Sequence, residues 1–221
     1  MAIFRLKNLY LSSVFILLTS CAIPLKYKLI EQRKITGIDV QPLVSANNTM
    51  LYKAQIFLFN KYYTGLLLHK QTDSTTSHLV FVTEVGIQLF DIEIKKDSLK
   101  MAYCFGPMNK PKITNLLEND LGLILLYPLL NQTAKIYTNQ ENKIYSIKGK
   151  GRKYFFYTEG NSPQIAKSLV KGKLFTKQKT VYKYGADNLP ESVSLKHKGL
   201  LRLRIKLNRI IAQKTNDYPS Q

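Results

Sequence analysis

From Tyr52 to Leu207 the chain is written as short runs of β-branched and aromatic residues separated by turn signals, a pattern that commits it to antiparallel β structure. The last run is the clearest: Leu201, Leu203, Ile205 and Leu207 alternate with Arg202, Arg204, Lys206 and Asn208, so an extended backbone sets a greasy face against a basic one. A basic amphipathic helix lying on a membrane is the competing reading, since Leu200, Leu203, Leu207 and Ile210 also fit helical spacing. Strict alternation favours the strand. Leu89, Asp91, Glu93 and Lys95 alternate in the same way with Phe90, Ile92 and Ile94. Other strands are expected at 52–59, 63–69, 78–83, 99–105, 135–138, 143–148, 152–158, 175–184 and 192–197, and 164–170 fits either a strand or a short helix.

One helix interrupts the strands. Pro111 suits a first-turn position, Ile113, Leu116, Leu117, Leu121 and Ile124 form one apolar stripe, and Pro128 is expected to stop the helix. The stretch 121–130 is almost wholly apolar but too short to cross a bilayer, so it packs against or over the sheet. The expected fold is therefore mainly β: an incomplete antiparallel β-barrel of about ten strands with a helical lid. Such a half-barrel offers an apolar cavity, for which Tyr52, Phe57, Phe59, Phe81, Phe90, Phe105, Leu117 and Leu121 are the candidate lining.

The N-terminus carries an address. Arg5 and Lys7 precede an apolar run from Leu9 to Leu18, and Thr19 and Ser20 are small enough for a signal peptidase site. Cys21 follows directly, where a thiol can take a diacylglycerol by thioether linkage and become the first mature residue. The chain divides accordingly into a lipoprotein signal peptide (1–20), a lipidated tether (21–50), one folded domain (51–212) and a disordered tail (213–221). With Cys21 lipidated, Cys104 stands alone, which excludes a disulfide framework and suits a small apolar core position.

The formal charge of +19 is uneven, since residues 148–214 hold 17 Lys and Arg against Glu159, Asp187 and Glu191. In an anchored envelope protein this excess meets anionic lipid headgroups and not nucleic acid; alternatively, the lysines reflect genome composition and only solvate outward strand faces. Catalytic patterns are missing. His69, His78 and His197 have no Cys or carboxylate companions at metal-ligand spacing, Asp91 and Glu93 read as a solvated face or salt-bridge ladder, and 148–152 lacks P-loop spacing. No enzyme and no cofactor is expected.

Taken together, these residues resemble the LolA/LolB-like lipoprotein carriers, and more closely the membrane-anchored LolB side. The likeness rests on the lipobox ending at Cys21, on Leu79 to Leu89 as a strand-loop-strand, and on Leu189–Leu195 followed by Arg202–Leu207 as a closing hairpin. The resemblance implies a protein that accepts an acylated lipoprotein cargo from a periplasmic LolA-like carrier and delivers it into the outer membrane. It also implies a membrane-engaging loop at Glu84, Val85 and Gly86, with Val85 protruding, although the same residues suit a plain hairpin turn. By the same analogy Ala22, which is not an aspartate, implies an anchor in the outer membrane, on its periplasmic face.

Overall fold

The computed structural model describes residues 23–24, 26–36, 39–40, 49–96, 98–130, 132–149, 151–160, 162–173, 175–198 and 202–211. The strands are β1 (Lys28–Lys34), β2 (Met50–Leu58), β3 (Lys61–Gln71), β4 (Thr76–Thr83), β5 (Gln88–Lys95) and β6 (Ser98–Cys104). After a 3₁₀ turn at Gly106–Met108 come helices α1 (Pro111–Ile124) and α2 (Tyr127–Leu130). The second run of strands is β7 (Thr133–Thr138), β8 (Lys143–Gly149), β9 (Arg152–Thr158), β10 (Ile165–Lys171), β11 (Thr176–Tyr184), β12 (Pro190–His197) and β13 (Leu203–Arg209). All are antiparallel neighbours in one 13-stranded sheet, ordered β1-β7-β8-β9-β10-β11-β12-β13-β2-β3-β4-β5-β6, whose outermost strands are not paired to each other.

This order explains the lid. Strand β6 is one edge of the sheet and β7 lies almost at the other, so the β6–β7 connection must travel the width of the sheet. Helices α1 and α2 occupy that connection. Helix α1 packs on both β6 and β12, which are separated by five strands in the sheet order, so the sheet curls around it. Ile113, Leu116, Leu117, Leu121, Leu123 and Ile124 of α1 are all buried in the core.

The alternation that predicted the strands also sets their faces. Leu203, Ile205 and Leu207 are buried while Arg204, Lys206 and Asn208 are exposed, and Ile205 lies between Leu195 of β12 and Ile56 of β2. Residues 203–209 are thus strand and not membrane-lying helix, and 165–171 is strand as well. Phe81 and Phe90 oppose each other on β4 and β5 with ring centroids 5.5 Å apart. Gly65 of β3 sits so close to β4 that a Cβ there would stand 2.0 Å from the Val82 carbonyl oxygen, which only glycine avoids.

Two expectations need correction. The sequence reading leaves 21–50 as a tether, but Lys28–Lys34 pairs with β7 as an edge strand. Its residues are exposed and mostly polar, so no apolar period marks it. The segment after it is pinned too, by the Arg33 guanidinium on the Asp39 carboxylate and by the Tyr145 hydroxyl donating to the Asp39 carbonyl at 3.3 Å. Pro128 does not end α1; it lies within α2. Helix α1 ends at Ile124, and Leu126 adopts φ of 57° to reverse the chain. A left-handed leucine is strained, and its complete burial holds it there.

His69 of β3 is only 4% exposed, and its Nδ1 has no hydrogen-bond partner among the described residues. Burial lowers its pKa to about 4. A histidine harder to charge folded than unfolded leaves stability intact above its ordinary pKa of about 6.5 and erodes it as pH falls towards 4. His69→Leu is expected to remove about 2–3 kcal/mol of that acid sensitivity, read as the change in urea midpoint between pH 7 and pH 4.5. An unaltered pH slope would show that His69 is not its source.

Candidate functional site

The site that the fold constructs is the contact between α1 and the apolar face of the open sheet. Across this greasy contact runs one polar latch. Asp120 of α1 is 0% exposed; its carboxylate accepts from the Gln178 side-chain amide of β11 and meets His197 Nδ1 of β12 at 2.9 Å. Desolvation pushes the Asp120 carboxyl above the ordinary carboxylate range, outweighing the opposing pull of His197 and Gln178. Further bonds fasten the helices. The Tyr182 hydroxyl donates to the Leu123 carbonyl at 3.0 Å, and the Met101 N–H of edge strand β6 donates to Glu118 Oε1 at 2.7 Å.

The start of α1 is weaker than its middle. Lys110 occupies the N-cap position without a side-chain cap bond, no acidic residue lies in the first turn, and Lys112 adds positive charge to the positive pole of the helix dipole. Together with the left-handed Leu126 beyond its end, this gives a helix anchored centrally and loosely finished at its N-terminus.

The expected cavity residues divide between two faces. Phe81, Phe90, Leu117 and Leu121 converge in the core beneath and within the lid, each with 0% exposure. Phe59 and Phe105 pack against that core partly buried, as does buried Tyr52. Phe57 is elsewhere. It alternates out of phase with Tyr52, Ala54 and Ile56 and lies on the outer face, with the Arg204 guanidinium 4.4 Å from its ring centroid. Counting five residues from Tyr52 to Phe57 along a period-two strand would have revealed this. The core-facing residues belong to one packed cluster, and an open pocket on the outer face of β7–β10 has none of them in its wall.

Glu84, Val85 and Gly86 form the β4–β5 turn. The Thr83 N–H donates to the Ile87 carbonyl at 2.9 Å, Gly86 has φ of 83°, and Val85 is 80% exposed at the tip. Cys21 lies outside the described residues. Cys104 is buried opposite Phe90, with burial raising the pKa of its thiol.

His78 and His197 have partners that sequence spacing concealed. His78 Nδ1 lies 2.8 Å from Asp91 Oδ1 on the neighbouring strand, and Glu93 meets the Lys95 ammonium at 2.9 Å, so the acidic face of β5 is a charge ladder. His197 and Asp120 are 77 positions apart. His78 stands opposite Glu93 and reaches diagonally to Asp91, and tertiary packing brings Asp120 to His197. Among the described residues no three His, Cys, Asp or Glu side chains gather as a metal site, and no helix is long and apolar enough to cross a membrane.

No protein-family model matches the chain, and no curated protein matches it. Among solved structures it is similar to a LolA superfamily protein from Nitrosomonas europaea, at 7% identity and a TM-score of 0.47, over 76% of this chain and 87% of that one. It is similar also to a putative outer membrane lipoprotein-sorting protein domain from Vibrio parahaemolyticus, at 10% identity and a TM-score of 0.35, over 82% and 90% of the two chains. A DUF1329 family protein from Desulfovibrio piger gives 9% identity and a TM-score of 0.41, over 76% and 85%.

The raised Asp120 pKa has a stability consequence. The folded chain holds this proton more tightly than the unfolded chain, so the contribution of the group is full below about pH 4 and is lost as pH rises through the raised value. Asp120→Asn keeps an acceptor for Gln178 and is expected to flatten that decline, measured as denaturant midpoints from pH 4 to pH 8. A decline as steep as that of the parent would place its origin elsewhere.

Proposed function

We propose that this chain is an envelope lipoprotein, anchored through lipid on Cys21 after removal of residues 1–20, whose half-barrel takes up acyl chains when α1 lifts from the sheet. The observation that carries this reading is the lid itself: an open sheet whose apolar face is covered by α1 and α2, with a weak start to the 14-residue α1 and a buried polar latch at Asp120. On this reading Phe81, Phe90, Leu117 and Leu121 are packed in the closed state and become the acyl-lining surface in the open one, with Phe59 and Phe105 at its margin. The protein acts as a noncatalytic carrier of the LolB-like kind. It accepts an acylated lipoprotein from a periplasmic LolA-like carrier and delivers it to the outer membrane, on whose periplasmic face it is anchored. The exposed tip residue Val85 fits the role of touching the bilayer during delivery.

The complete burial of Phe81, Phe90, Leu117 and Leu121 favours one alternative, a scaffold lipoprotein whose interior stays closed and whose surface recruits a protein partner or anionic glycolipid. Acyl uptake separates the two. Phe105→Asp, at the margin of the core, is expected to lower binding of a fluorescent fatty acyl probe several-fold while far-ultraviolet dichroism keeps its β signature; a parent protein that never binds the probe would leave the scaffold. Val85→Asp is expected to spare probe uptake and slow transfer of bound lipoprotein to vesicles, because a charge replaces the apolar tip. Equal transfer rates would remove Val85 from the delivery step.

A further inference from the structure

The pocket on the outer face of β7–β10 has a strongly basic wall. It has a volume of about 810 Å³, and its wall carries Lys135, Lys148, Arg152, Lys153, Lys171 and Lys173 with no Asp or Glu among the described residues. Three of these cations form a transverse row, since Lys148 of β8 is directly opposite Lys153 of β9, which is directly opposite Lys171 of β10. Lys148 and Lys153, like charges directly opposite each other on adjacent strands, repel, at a cost that a bound anion would offset. One register step away the wall turns apolar. Ser146 faces Phe155, Phe155 faces Leu169, and Phe155 is buried although it points away from the main core.

Two neighbouring features indicate which anion. Phe175, in the β10–β11 hairpin whose Lys171, Gly172 and Lys173 form one rim of the pocket, is 77% exposed between flanking lysines 173 and 177, the pairing of aromatic ring and cation found where proteins enter a membrane interface. Ile23 lines the pocket too, and chain geometry keeps the Cα atom of Cys21 within about 7 Å of that of Ile23. A lipid on Cys21 would therefore hold the pocket against the membrane surface, a placement that rests on the anchor proposed above. We infer that this pocket is a binding site for an anionic phospholipid, with the headgroup phosphate on the Lys148–Lys153 pair and the first acyl carbons along Phe155. It is distinct from the acyl-lining surface beneath α1.

The test uses the full chain in nonionic detergent, with lipid adducts counted by native mass spectrometry against phosphatidylglycerol and phosphatidylcholine. The unaltered protein is expected to prefer phosphatidylglycerol by about ten-fold or more. Lys148→Ala with Lys153→Ala is expected to abolish the preference, while Lys196→Ala with Lys206→Ala, which removes the same charge from the outer face of β12 and β13, is expected to retain it. Equal losses in both pairs would reduce the effect to net charge and overturn the site, as would equal binding of the two lipids by the unaltered protein. Displacement of phosphatidylglycerol by an equal concentration of inorganic phosphate would overturn the lipid assignment in favour of a free anion. Because headgroup preference is read without acyl uptake, failure here and failure of the carrier reading remain distinguishable.

Discussion

An antiparallel sheet that stops short of closure must cover its apolar face with something other than itself. Here the cover is dictated by connectivity: β6 ends at one edge of the sheet and β7 begins near the other, so the segment between them crosses the apolar face and folds as α1 and α2. The rest of the molecule is arranged around that crossing. The curl of the sheet, the Glu118 bond to an edge-strand amide and the burial of Asp120 all depend on a helix lying there.

Magnitudes decide whether such a cover can also be a door. Six buried aliphatic side chains hold α1, and at about 1.5–3 kcal/mol each they represent roughly 9–18 kcal/mol of apolar contact. A chain of about sixteen methylenes is worth roughly 12 kcal/mol by the same scale. The two are comparable, which is the energetic basis of the acyl-uptake proposal. Lifting the helix would also leave His197 and Gln178 without the carboxylate that they share.

The strands and the lid were legible because each depends on local period. Leu203, Ile205 and Leu207 alternate cleanly with Arg204 and Lys206, and the stripe from Ile113 to Ile124 has helical spacing. What escaped was whatever depends on the partner. Strand β1 has little apolar patterning and exists through its pairing with β7. Aromatic character suggested a cavity role for Phe57, but strand parity sends it to the outer face. Asp120 lies 77 positions from His197, and nothing nearby in sequence announces that partner. The lysines of the outer pocket were visible as a charge excess, but only register lines up Lys148, Lys153 and Lys171 across three strands.

The position of β13 carries a consequence for the order of assembly. The first meander, β2 to β6, and the second, β7 to β12, each grow from sequence-adjacent hairpins, yet within the sheet they are joined where β13 inserts between β12 and β2. A chain emerging N-terminus first therefore holds two separate half-sheets, each with a bare edge, until residues 203–209 arrive to zip Leu203 against Leu58 and Arg209 against Tyr52. Closing that seam spans about 150 residues of contact separation, the slowest kind of β pairing. The final few residues of the fold thus set how long the nascent protein is exposed to aggregation.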